Sequence, residues 1–172
     1  MKKTHPMIQY GFIRCWLGLI LAAQSDLGVC FVSLGDEQQL MVNELLEFYP
    51  KAQPAGSDLH FARSLETVSA YIEHPGMVFD LPLDIHGTAY QLRVWQALRE
   101  IPIGKTASYT EIAQRIGAPR SARAVALACA ANKLAVIIPC HRVVRGNGSL
   151  SGYRWGVERK KALLEREAQQ AS

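Results

Sequence analysis

The sequence predicts an α+β fold in two parts. Residues 1–86 read as a small antiparallel sheet with helices, and residues 87–172 as a mainly helical unit carrying a helix-turn-helix. Three observations carry this. Short apolar segments separated by turn residues fill the first 34 positions, helical periodicity dominates from Thr88 onward, and the charge changes sign between the halves. Residues 1–86 hold five Lys/Arg against ten Asp/Glu, whereas residues 87–172 hold 14 against five. A basic half joined to an acidic one points to a polyanionic partner for the basic half, with nucleic acid first in line and a merely soluble basic surface as the plainer alternative.

In chain order, segments 9–16, 19–23 and 29–34 form a β-meander, with turns at Gly18 and at Ser25-Asp26-Leu27-Gly28. Cys15 and Cys30 fall inside it as packing residues, because no further ligands lie at metal spacing. A helix over 37–49 groups Leu40, Met41, Leu45 and Phe48 on one face and stops at Pro50. After a loop at 53–57, Asp58 caps a helix whose Phe61, Leu65, Val68 and Ile72 make a core stripe. Residues 79–85 alternate apolar and polar, the pattern of an edge strand containing Pro82. No chemistry is legible in this half; His5, His60, His74 and His86 are isolated.

The second half opens with a helix whose stripe is Tyr90, Val94, Leu98 and Ile101, with Trp95 beside it. Ser108-Tyr109-Thr110-Glu111 is a capping box for a short helix ending at Gly117. An alanine-rich segment, Ser121 to Ala131, follows. Two short helices joined by a Gly/Pro turn resemble a helix-turn-helix. Thr110, Ser121, Ala122, Ala124 and Ala128 would lie close to DNA, and Arg123 would project towards it; ordinary close helix packing is the competing reading. Residues 134–138 read as an extended apolar run leading to Pro139-Cys140-His141, and a helix from Val157 to about Ala168 closes the chain.

Composition bounds the function. At 49% hydrophobic and 20% charged the chain is globular rather than disordered. Four scattered cysteines without a C-x-x-C pair fit a reducing cytoplasm better than a disulfide framework or a zinc knuckle. Lys2 and Lys3 ahead of the apolar run 15–23 imitate a signal peptide, but His5, Gln9 and Arg14 interrupt the pattern. No stretch reaches the roughly 18 apolar residues that would span a membrane.

An isolated Cys-His pair is ordinarily packing. Its alternative is a nucleophile with a lowered pKa beside its base. Pro139-Cys140-His141-Arg142-Val143 resembles the PCHRV signature of the O6-methylguanine-DNA methyltransferases. Ser108-Tyr109, Ser121 to Val125, Asn132, Ser151-Gly152-Tyr153 and Glu167 extend the resemblance across the second half, and the first half fits more loosely.

That resemblance implies a ribonuclease H-like first domain and a winged helix-turn-helix in the second. It implies repair of double-stranded DNA by irreversible, single-turnover transfer of a methyl group from O6-methylguanine, and from O4-methylthymine, to Cys140. His141 would take the thiol proton and Glu167 would orient the imidazole. Tyr109 would protonate the leaving base, and Asn132 would tie down the Cys140 loop. Arg123 would intercalate where the nucleotide is flipped out, a phosphate contact being the simpler role. Pro139, Ser151, Tyr153 and Trp155 would line the alkyl pocket, with the Trp155 ring narrowing it in favour of methyl over larger adducts. The expectation is a monomer without metal or cofactor. Two rivals are a cysteine hydrolase, for which no oxyanion loop is legible, and a non-catalytic DNA-binding regulator, for which a reactive cysteine is superfluous. A piece of a longer regulator is a third reading.

Overall fold

The computed structural model describes residues 7–171. The charged start that imitates a targeting segment, Lys2, Lys3 and His5, lies outside them. Contacts divide the chain into two compact units. One reaches to His74 and includes Val78–Ile85; the other holds Pro75–Met77 and continues from His86.

In the first unit, strands β1 (Gln9–Cys15), β2 (Gly18–Ser25) and β3 (Gly28–Gly35) form the antiparallel meander, so the apolar run after Arg14 is sheet. Register runs from Gln9 opposite Gln24 to Cys15 opposite Gly18, and a bulge at Ala23/Gln24 separates β2 from β3 near the second turn. Helix α1 (Gln38–Phe48) buries Met41 and Leu45 against the sheet. Leu40, grouped with them by sequence, is 62% exposed, because it stands one position, about 100° of helix, away from Met41.

A short strand β4 (Gln53–Pro54) replaces the expected loop and pairs parallel with β1. Gln53 and Ala55 donate to the carbonyls of Ile8 and Tyr10, so Pro54, which has no N–H, falls where none is needed. Helix α2 (Leu59–Glu73) is capped by Asp58, whose carboxylate accepts from the Phe61 amide at 3.1 Å, and it buries Phe61, Val68 and Ile72. The sheet order is β3-β2-β1-β4. The expected strand at 79–85 reduces to one parallel bridge: Val29 donates to Pro82 and accepts from Asp84, each at 2.9 Å.

In the second unit, α3 (Ala89–Arg99) starts at a Thr88/Gln91 capping box and buries Val94, Trp95 and Leu98. Strand β5 (Ala107–Ser108) leads directly into α4 (Tyr109–Arg115), capped by the predicted Ser108/Glu111 box. Gly117, at φ +75°, turns the chain towards α5 (Ala122–Ala130). The Trp95 indole donates to the Ala128 carbonyl at 2.9 Å and pins α5 against α3.

Residues 134–138 are not extended. Ile137 and Ile138 donate back to Ala135 and Leu134, and Val136 sits at φ +68°, an αL conformation that a β-branched residue adopts only under constraint from its surroundings. A single 3₁₀ turn, Cys140–Arg142, follows. Strand β6 (Val143–Val144) then pairs parallel with β5, placing Ser108 beside Val144. The loop from Arg145 to Gly156 holds a tight turn, Gly148 donating to Arg145 at 2.8 Å, and no strand. Helix α6 (Val157–Ala171) buries Lys160, Leu163 and Glu167 at i, i+3 and i+7. Among the described residues no helix is long and apolar enough to cross a membrane.

Candidate active site

Cys140 lies on a cavity of about 620 Å³ in the second unit, walled by Tyr109, Ala122, Arg123, Ala126, Cys129, Ala130, Arg145 and the loop Ser151–Arg154. The helix-turn-helix therefore forms one wall, and the turns around Cys140 and Ser151 form another. Alanines at 122, 126 and 130 recur at helical spacing, which keeps the α5 wall low.

Asn132, fully buried, organises the turn that carries the thiol. Its amide nitrogen donates to the Ile138 carbonyl at 2.9 Å and to Cys140 Sγ at 3.3 Å, while its oxygen accepts from the Leu134 amide at 2.8 Å. Those bonds brace the loop containing the strained Val136. Pro139 contributes its carbonyl to the following turn, accepting from Arg142 at 3.0 Å.

His141 is 0% exposed, and its Nε2 lies 2.7 Å from Glu167 Oε1. A carboxylate only accepts, so Nε2 carries the hydrogen and Nδ1 is left as a bare base with no protein partner. Burial holds the imidazole below its usual pKa despite the Glu167 bond, which keeps it neutral at pH 7. Glu167 also accepts from Arg142, Nε to Oε2 and NH2 to Oε1, both at 2.9 Å; the third guanidinium nitrogen donates to the Ile101 carbonyl at 2.7 Å. Burial alone would raise the Glu167 carboxyl. The His141 and Arg142 bonds outweigh it and hold the group down at about 2.

Cys140 itself runs against one expectation. Burial pushes its thiol up to about 11, although Asn132, Lys160 and Arg154 each pull the other way. The resting group is a thiol, not a standing thiolate, so a nucleophile forms only as a base removes the proton. Cys129 shares the cavity wall, but burial raises it further, and among the described residues no hydrogen-bond donor is directed at it.

Several predicted residues converge. Tyr109 faces the cavity and is hydrogen-bonded to Ser151 Oγ; Tyr153 lines it; Arg123 is exposed at its edge. Others do not. Trp155 is buried outside the wall, its ring edge-on to Tyr153 with centroids 5.2 Å apart, so it does not narrow the pocket. Pro139, next to the thiol in sequence, is buried and likewise forms no part of the wall. Ala128 is 2% exposed against α3 and cannot meet a ligand from outside. Ser121 is occupied within the fold, accepting from Tyr90 at 2.9 Å and donating to Ala118 at 2.7 Å. Thr110 is exposed, while Ala122 and Ala124 are half-buried.

Sequence reasoning gives no role to Lys160; Arg142 enters it only within the PCHRV signature, and Arg154 only within the aromatic-basic loop 149–156, which could line a pocket. Arg154 donates to the Asn132 carbonyl at 2.7 Å, tying its loop to the residue that braces the Cys140 turn. For Lys160 a signal existed: it shares a helical stripe with Leu163 and Glu167, and a charge on an apolar stripe calls for a partner.

Comparison with known proteins agrees with this geometry. Residues 89–169 match the family model described as the 6-O-methylguanine DNA methyltransferase, DNA binding domain. The chain is 52% identical over 162 residues to a protein of Escherichia coli K12 named bifunctional transcriptional activator/DNA repair enzyme Ada, covering 94% of this chain and 46% of that one. It thus spans about half the length of that relative. It is 40% identical over 176 residues to the inducible methylated-DNA–protein-cysteine methyltransferase of Bacillus subtilis 168, covering all of this chain and 97% of the relative. The crystal structure of Mycobacterium tuberculosis OGT in complex with DNA superposes with a TM-score of 0.78 at 37% identity, covering 94% of each chain. On matches that extend over both units and nearly the whole of a relative, the chain belongs to the O6-methylguanine-DNA methyltransferase family.

Proposed function

We propose that this chain repairs double-stranded DNA by moving the methyl group of O6-methylguanine, and of O4-methylthymine, onto Cys140, once per molecule. The observation that carries the reading is a buried cysteine at a cavity, followed directly by a neutral histidine whose one nitrogen is bound to Glu167 and whose other is bare. The relatives named as methylated-DNA–protein-cysteine methyltransferases support the substrate.

In this reading His141 Nδ1 accepts the Cys140 proton through a bridging water, and Glu167 stabilises the imidazolium that forms. Sγ attacks the methyl carbon in line, the carbon–oxygen bond breaks, and its electron pair stays with the base. Asn132 donates to the sulfur as negative charge builds. Tyr109 delivers its phenol proton to a ring nitrogen of the departing base. The reactive carbon is inaccessible in a stacked duplex, so the nucleotide is extruded at a cost of a few kcal/mol. Arg123, exposed on α5, fills the gap it leaves. The product is a thioether. Nothing in the proposed chemistry reverses it, and it requires neither metal nor cofactor. The acting species is a monomer in the cytoplasm.

The experiment is a stoichiometric one. Protein is mixed with excess duplex carrying O6-methylguanine, and methyl uptake is followed to completion. The expected plateau is one methyl per chain, absent in Cys140→Ala; continued turnover beyond one equivalent contradicts the reading.

A further inference from the structure

We propose that Lys160 and Ser151 set the direction of the Tyr109 hydroxyl, aiming its hydrogen into the cavity beside Cys140 and holding the negative charge left when that hydrogen is given up. The inference rests on reading Cys140 as the alkyl acceptor and Tyr109 as the proton donor to the base, and it assigns two positioning residues behind the donor.

The geometry is directional. Lys160 is 0% exposed on α6, with Nζ 2.6 Å from the Val143 carbonyl, 2.9 Å from Ser151 Oγ and 3.5 Å from the Gly152 carbonyl. An ammonium has three hydrogens and no lone pair, so it donates in all three directions. Ser151 Oγ therefore receives a hydrogen from Lys160. The bond between Ser151 Oγ and the Tyr109 oxygen can run in either direction, and Ser151 is assigned here as its donor, so that the Ser151 hydrogen goes to the Tyr109 oxygen. With that oxygen receiving from Ser151, the phenol hydrogen is left for the cavity, where Tyr109 and Cys140 share a wall.

Proton and electron movements then balance. As Sγ bonds to the alkyl carbon, the carbon–oxygen bond breaks and its pair delocalises into the base ring. The Tyr109 proton passes to a ring nitrogen, so the base leaves neutral. The tyrosinate accepts from Ser151, which is in turn held by the Lys160 ammonium, and it is reprotonated from solvent after the base departs. The Cys140 proton rests on His141 throughout. Burial pushes the Tyr109 phenol up, and the bond with Ser151 is the strongest influence acting the other way.

Lys160 also ties the Val143 and Gly152 backbones to α6, so its removal would disturb the fold itself. Ser151 is the cleaner probe. Single-turnover methyl transfer from O6-methylguanine duplex at saturating protein is compared for the wild type, Ser151→Ala, Ser151→Thr, Tyr109→Phe and the Ser151→Ala/Tyr109→Phe double variant. Tyr109→Phe should slow the maximal rate by about 100-fold, as for loss of a general acid. Ser151→Ala should slow it by about 10-fold, on the scale of one hydrogen bond to a charged group. Ser151→Thr, which keeps the hydroxyl, should recover most of that loss, and the double variant should be no slower than Tyr109→Phe alone. The proposal is overturned if Ser151→Ala slows the Tyr109→Phe protein as much as the wild type, if Ser151→Thr is as slow as Ser151→Ala, or if Ser151→Ala changes only DNA affinity. If Ser151→Ala and Tyr109→Phe behave as expected but the methyl is found on a residue other than Cys140, the functional reading fails separately.

Discussion

The two units bury polar groups in different ways. In the first, Ser25, Ser33, Ser64 and Asp84 are buried, and Asp84 alone of these is charged; it accepts from Ser25 at 2.6 Å. That pair fastens the segment after α2 to the turn between β2 and β3. In the second, Asn132, His141, Arg142, Ser151, Lys160 and Glu167 are buried, and their bonds converge on the turn that carries Cys140 and on Tyr109 across the cavity from it. Burying an ion costs several kcal/mol unless it is well paired. One pair is a fastening; six buried groups gathered around one cavity, with Asn132 on the thiol, Glu167 and Arg142 behind His141, and Lys160 and Ser151 behind Tyr109, form a different kind of arrangement.

The largest effect that would sharpen this contrast is chemical. Cys140→Ala should abolish methyl transfer, while Cys129→Ala, one cavity wall away, should transfer within a few-fold of wild type. Burial alone does not distinguish the two thiols; the bonds around Cys140 do.

Next comes the buried ion set against the fastening pair. Glu167→Gln leaves Arg142 with a weakened partner and His141 without a charge to orient it. It should lower stability by about 3–5 kcal/mol in chemical denaturation and slow transfer by about 100-fold. Asp84→Asn, in the first unit, should cost about 1–2 kcal/mol and leave transfer unchanged. Equal kinetic losses at the two positions would erase the distinction.

Acidity tests the same contrast. The His141 pKa is depressed, so its neutral form, the base, is fully present above the usual imidazole range. Transfer should be flat there and fall as pH drops through the lowered value. Glu167 has its folded pKa lowered from 4.5 to about 2. Its stabilisation, up to about 3 kcal/mol, is present above the ordinary value and lost as pH falls between the two. Melting followed at pH 6 and in steps to pH 3 should show this loss in the wild type and a flatter profile in Glu167→Gln.

The smallest effect expected is at the surface. Arg123→Ala should leave melting unchanged and reduce transfer into duplex DNA by about 10-fold, the order of one lost wedge or phosphate contact. It should change far less with a free alkylated base, which requires no flipping.

What the sequence disclosed and concealed follows from range. Both second-unit capping boxes, at Thr88/Gln91 and Ser108/Glu111, depend on residues three apart, and the Ser108 box was legible at once. The meander and the stripe Phe61, Val68, Ile72 are likewise local patterns. Cys140 and His141 stand out as adjacent residues and Asn132 and Glu167 only through resemblance; the structure hydrogen-bonds Asn132 to Cys140 and His141 to Glu167. Non-local facts were missed. Strand β4 exists because β1 supplies two carbonyls to it, and the alternation at 79–85 yields a single bridge to Val29 rather than a strand, a pairing that depends on a segment distant in sequence. Trp155 looked like a pocket residue by position, but an indole gains more by packing on Tyr153 than by facing an open cavity. The thiol's raised pKa could not be read from a basic neighbourhood, because burial outweighs the charges around it.

The most direct test locates the methyl group. Protein that has reacted to completion with O6-methylguanine duplex is digested, and each cysteine peptide is weighed and fragmented. One methyl on Cys140, with Cys129, Cys30 and Cys15 unmodified, is the predicted result. A methyl on Cys129, or methyl shared between the two cavity thiols, would contradict the claim that the buried bonds around Cys140 make it the acceptor.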